Sequence, residues 1–153
     1  MNMILTLWQI TVTWLNSISA YLAMPALRLL LAYEFWDSGI VKFHGVNWFA
    51  DIQDAFPFPF NLLPVGLSWF IATWSELLGA VALVLGLATR FFSLSLIIVT
   101  IVAWVAVHAD NGYNVCDNGW KLPLFYLVMF IPLLLGGPGK LSLDHWLSSR
   151  VRV

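Results

Sequence analysis

A chain of 153 residues that is 61% hydrophobic and only 10% charged has too little polar surface to coat a water-soluble domain. Its mean hydropathy of +0.86 places it among integral membrane proteins and excludes a free-standing soluble enzyme. A net charge of −1 with no basic run offers nothing to nucleic acid, and a single cysteine excludes both an internal disulfide and a CxxC redox couple.

Residues 1–19 form the first unit. Ile4, Leu7, Trp8, Trp14, Leu15 and Ile18 recur at helical spacing, while Asn2, Thr6, Gln9, Thr13, Asn16 and Ser17 occupy other faces, the pattern of an amphipathic helix lying at a membrane interface. No Lys or Arg precedes Arg28, so the stretch lacks the basic leader of a signal peptide and is expected to be retained.

Residues 20–153 form the second unit, an all-α, integral membrane four-helix bundle with a short C-terminal amphipathic tail. Its spans are expected near Tyr21 to Phe43, Gly66 to Leu87, Phe91 to Val107 and Trp120 to Gly136. The last two are near the short limit, and Pro123 and Pro132 bend or shorten the fourth. Arg90, Lys140, Arg150 and Arg152 fall on one side, with Lys42, Lys121 and four aspartates on the other, which predicts cytoplasmic termini.

The first span carries Arg28, Glu34, Asp37 and Lys42, and the second carries Glu76. A charge at bilayer depth costs roughly 2.5–3.5 kcal/mol on insertion scales, so such groups face a protein interior and mark a candidate site. Glu34 and Asp37, three residues apart, share a helix face, and with Arg28 and Lys42 they can form one polar column. Glu76 lies on a small-residue stripe of Ala72, Ser75, Gly79 and Gly86, where another backbone can approach, so it is expected to point inward. Two readings stand side by side: a neutralised network that sets helix register, and a proton relay or ligand site in which a desolvated Glu34, Asp37 or Glu76 exchanges protons with a bound quinone or substrate. Arg28, Trp36 and Phe58 are the accompanying candidates for holding a cofactor.

Between the first two spans, Asn47-Trp48-Phe49 and Phe56-Pro57-Phe58-Pro59-Phe60 predict an aromatic interfacial or re-entrant lid. It either anchors the loop at headgroup depth or clamps a ring-shaped ligand. His108, Asp110 and Cys116 gather around the third loop and are the candidate ligands for copper or zinc, although their spacing matches no closed metal motif and the intervening Asn and Gly residues read as turn chemistry. No haem-attachment or dinucleotide-binding pattern is present, so redox chemistry here requires a separate electron partner.

Arg28-Leu29-Leu30-Leu31, Gly39-Ile40-Val41-Lys42, Glu76-Leu77-Leu78-Gly79 through Gly86-Leu87-Ala88-Thr89-Arg90, and Gly137-Pro138-Gly139-Lys140-Leu141-Ser142-Leu143-Asp144 together resemble the DoxX family. The resemblance covers residues 25 to about 147 and implies a four-helix inner-membrane bundle of bacteria, some of whose relatives are quinone-facing subunits or maturation factors in redox pathways. Ala32-Tyr33-Glu34-Phe35-Trp36, Asn47-Trp48-Phe49, the Phe-Pro-Phe-Pro-Phe segment and Ala106-Val107-His108 with Gly112-Tyr113 resemble its Hvf-type branch. That branch implies an accessory to a copper-binding modified peptide, in maturation, export or copper handling, with the peptide or its proteins as partners beside the bilayer. It supplies no catalytic residues. Quinone and copper are the cofactors the resemblance brings into view; a small transporter, a structural scaffold and a homo-oligomer stay open.

Overall fold

The structure, a computed structural model, describes residues 2–151. Arg152, counted above among the basic residues of the C-terminal side, lies outside the described residues. Five α-helices, α1 (Asn2–His44), α2 (Val65–Leu85), α3 (Thr89–Ala103), α4 (Lys121–Gly136) and α5 (Leu143–Val151), are joined by turns and short 3-10 segments, with no strand among the described residues. The all-α membrane bundle expected from the apolar spans is the architecture observed. Three helical stretches, Met3–His44, Val65–Leu85 and Thr89–Asn111, are long and apolar enough to cross a membrane, and α4 is a shorter apolar helix.

α1 runs unbroken for 43 residues, so no change of backbone marks the boundary drawn after residue 19. At 1.5 Å per residue it is about 64 Å long, about twice the thickness of bilayer hydrocarbon. Its first half stands clear of the bundle, with Trp8 and Trp14 exposed, and the hydroxyls of Thr11, Thr13, Ser17 and Ser19 donate to carbonyls a turn earlier. Its second half packs against the other helices. Leu31, Ala32 and Phe35 of α1, Ala80 and Leu83 of α2, Leu96 of α3, and Phe130 and Leu133 of α4 form the core. Gly39 lies against Leu77 and Gly79 against Leu96, the close helix approach that small residues permit.

One end of the bundle is tied by the C-terminal segment. α2 stops at Gly86, whose φ of +64° and whose bond from Leu87 N to Ala82 O form the left-handed cap that glycine accommodates without strain. Asp144 then reaches back from α5 and accepts from the backbone N–H groups of Ala88 (2.7 Å) and Thr89 (2.9 Å), satisfying the start of α3 with a negative charge at its positive end. Buried Arg28 donates to the carbonyl of Leu141 (2.6 Å), Asp144 N donates to Gly86 O (3.0 Å), and Arg90 donates to Leu135 O (3.2 Å). Four short sequence stretches far apart in the chain thus make one clasp.

A side chain at position 86 has no room, because a Cβ there would collide with Arg28 Nη1 as well as strain the left-handed backbone by about 1–2 kcal/mol. Gly86→Ala is therefore expected to lower the thermal midpoint of the detergent-purified protein clearly. Gly66→Ala, on a helical turn where a Cβ meets nothing, is expected to be neutral or slightly stabilising. Equal midpoints for the two variants would refute the clasp.

Candidate functional site

At the other end the helices diverge around a cavity of about 920 Å³. Its wall is mostly apolar and is built by the last turns of α1, the first half of α2, the second half of α3, the start of α4 and the loop over residues 45–64. Glu34, Asp37 and Glu76 all line it, together with Ser38, Lys42 and Tyr126. Helical geometry explains the grouping: 34, 37, 38 and 42 fall on one face of α1, and the small residues of α2 let that face sit directly over Glu76.

Two polar contacts divide the cavity. In the first, Lys42 Nζ donates to both Glu76 oxygens (2.9 Å each) and to Ser38 Oγ (2.8 Å), while Ser38 donates to Glu76 Oε1 at 3.2 Å. The pair is buried, with side-chain exposures of 13% for Lys42 and 4% for Glu76, so each charge depends on the other for stability. In the second, Tyr126 donates its phenolic hydrogen to Glu34 Oε2 at 2.6 Å. Glu34 and Lys42 are eight residues apart on α1, so the two contacts are separated by about 12 Å along the helix axis. Between α2 and α3, Ser95 donates to Ser75 at 3.2 Å, and both serines line the same space.

The aromatic loop closes one side. Phe49 and Phe56 are buried, meet edge to face at 5.2 Å, and Phe49 packs on Trp69 of α2 at 5.0 Å. Gln53 holds the loop in place by donating to the carbonyl of Leu63 at 2.7 Å. Trp48, Phe49, Phe56 and Phe60 contribute to the cavity wall.

The cofactor candidates named with the carboxylates are placed elsewhere. Arg28 belongs to the clasp at the far end, because six residues of helix separate it from Glu34 by about 120° in rotation and about 9 Å in height. The single polar column drawn through all four α1 charges therefore divides in two. Trp36 lies on the outer side of α1 beside Tyr33, Val81 and Val84, and Phe58 is 79% exposed at the loop tip; neither lines the cavity.

His108, Asp110 and Cys116 are not assembled as metal ligands: no group of three His, Cys, Asp or Glu side chains able to hold a metal occurs among the described residues. Asp110 and Cys116 are exposed on the turns before α4, whereas His108 ends a π-helical turn (Trp104–His108) and its Nδ1 is 2.6 Å from the carbonyl oxygen of Asn118. The ring is used to fasten the loop to α3. It also reaches the cavity lining.

Tyr126, Ser38 and the Ser75/Ser95 contact were not singled out from the sequence. Ser38 was discoverable, since it lies one turn before Lys42; Tyr126 is one aromatic residue in an apolar helix and carried no local signal.

The fold defines a helical membrane protein with a cavity of mixed apolar and polar lining inside its bundle. Comparison with protein families agrees: the DoxX family model matches residues 23–109, and the chain belongs to the DoxX family. A protein of Haemophilus influenzae (strain ATCC 51907 / DSM 11121 / KW20 / Rd), described as an uncharacterized protein, is 52% identical over 130 residues, covering 85% of this chain and 86% of its own length. No solved structure matches the chain.

Truncating one partner of the buried pair leaves the other uncompensated, at a typical cost of about 3–5 kcal/mol. Lys42→Met is expected to lower stability far more than the double variant Lys42→Met/Glu76→Leu, in thermal unfolding of the protein in detergent. A double variant as unstable as the single would show that the ion pair is not what the packing of α1 on α2 requires.

Proposed function

We propose that this DoxX-family protein is a membrane accessory subunit that binds a lipophilic, ring-bearing molecule of the quinone type in the cavity between α1, α2, α3 and α4. The observation that carries this reading is the combination of an aromatic and apolar wall with a few placed carboxyl and hydroxyl groups where the helices diverge, the composition expected of a site that holds a flat ring and fixes its oxygens. Glu34 with Tyr126, and Glu76 with Lys42 and Ser38, are the groups positioned to exchange protons with such a ring. Two electrons would have to come from or go to a partner, because this chain carries no haem-attachment, dinucleotide-binding or dithiol motif.

Two features support placing it in a bacterial inner membrane with cytoplasmic termini. Arg90, Lys140 and Arg150 lie toward the clasp end, and Asp51, Asp54, Asp110 and Asp117 lie in the loops of the opposite end. The Hvf-type stretches, which include cavity residues Glu34, Phe49 and His108, support service to a copper-binding modified peptide. In that setting the copper belongs to the peptide, and the membrane subunit contributes the ligand cavity.

Two experiments test these readings separately. Titration of a short-tailed benzoquinone into the protein in nanodiscs is expected to quench tryptophan fluorescence saturably, with affinity falling about tenfold or more in Phe49→Ala/Phe56→Ala and unchanged in Phe58→Ala. Absence of saturation by both the oxidised and the reduced form of this ring, or equal affinity in all three proteins, would sink the cavity assignment. Deleting the gene is expected to raise the copper sensitivity of the host; indifference to copper would remove the peptide-system reading and leave the cavity untouched.

A further inference from the structure

The hydrogen-bonding capacity left over in the cavity differs in kind between donors and acceptors. Lys42 has three N–H groups, and all three are engaged, by Ser38 Oγ and by both oxygens of Glu76. The Tyr126 hydroxyl hydrogen is engaged by Glu34 Oε2, and those of Ser38 and Ser95 by Glu76 and Ser75. The cavity's one ammonium and its one phenol therefore have no hydrogen to offer a ligand.

Acceptors remain. Glu34 has its second oxygen free, and Asp37 makes no hydrogen bond or ion pair among the described residues. His108 adds a third. Because Nδ1 faces a carbonyl oxygen at 2.6 Å, and a carbonyl can only accept, the hydrogen must sit on Nδ1; in the neutral ring Nε2 is then an acceptor. His108 closes the π turn at Trp104–His108 and lies in the cavity lining. The donors that remain are all neutral: the Trp48 indole, the Asn118 side-chain amide, the Ser75 hydroxyl, and the Ser68 hydroxyl, which is buried without a partner.

Resting on the ring-binding reading above, we infer that the cavity recognises its ligand through hydrogen bonds the ligand donates, and so takes the hydroxyl-bearing, reduced ring, a hydroquinone or a similar phenol, in preference to the carbonyl-only quinone. A quinone's two carbonyl oxygens find only neutral donors on this wall, whereas the hydroxyls of the reduced ring can donate to a carboxylate or to imidazole, and hydrogen bonds to a carboxylate are roughly twice as strong as neutral ones. The ligand also brings no charge of its own, in keeping with the mostly apolar wall.

The test compares three probes of one shape in nanodiscs under anaerobic conditions: a short-tailed hydroquinone, the matching benzoquinone, and the hydroquinone dimethyl ether, which keeps the oxygens and loses the donors. The hydroquinone is expected to bind about tenfold or more tightly than either of the others. His108→Phe/Glu34→Gln is expected to bring the ratio of hydroquinone to benzoquinone affinity to about one, whereas Phe58→Ala, at the exposed loop tip, is expected to leave the ratio as it is; the ratio is a readout that general loss of packing would not move. Equal or tighter binding of the benzoquinone to the native protein overturns the inference, as does a preference that survives in the double variant. Binding of the hydroxyl-free cation tetraphenylphosphonium as tightly as the hydroquinone also overturns it, because the carboxyls would then be reading charge. If none of the three ring probes saturates, the ring-binding reading itself fails together with this one.

Discussion

The contact between Lys42 and Glu76 is the constraint from which the open end of this bundle follows. A carboxylate on the inner face of α2 can be held in a low-dielectric interior only if a cation and further donors reach it, and Lys42 and Ser38 of α1 do so from adjacent turns. Meeting that need determines the rotation and height of α1 on α2. Once α1 is set that way, Glu34 and Asp37 are carried onto the same side, and Tyr126 of α4 is brought to Glu34. The polar lining of the cavity is thus a consequence of neutralising one buried charge.

The two ends of the bundle use charge differently. At the clasp, Asp144 supplies the missing acceptor for the first amides of α3, and Arg28 ties the C-terminal segment to α1 through a backbone carbonyl, so polar groups serve chain connectivity. At the cavity, polar groups meet one another as side chains in the lining. Packing at the core between them, with Phe35 against Phe130 at 5.5 Å and Leu31, Leu83 and Leu96 fully enclosed, keeps the ends apart. The clasp and the cavity are thus built from different residues at opposite ends of the same helices.

Much of this was legible in the chain. Apolar runs of span length gave α2 and α4 to within a few residues, with Pro64, Gly86 and Gly137 interrupting the pattern at their ends, whereas α1 continues as one helix from Asn2 through the expected start at Tyr21. The inward direction of Glu76 followed from the small residues on its face. What misled was Arg28, which shares a helix and a charge type with the cavity residues yet belongs to another site; sequence distance along a helix has to be converted to rotation before charges are grouped. His108, Asp110 and Cys116 misled for a different reason, because nearness in a loop says nothing about where side chains are aimed.

Local chemistry written in the chain was enough to establish the membrane environment, the helical class and the presence of charges that need burial, because hydrocarbon thickness and the cost of an unpaired ion apply whatever the fold. Which carboxylate meets which partner was decided only when four helices packed, since Tyr126 and Glu34 are 92 positions apart and Ser38 reaches Glu76 across a helix interface. Pairing across helices depends on rotation and height, and those are properties of the assembled bundle.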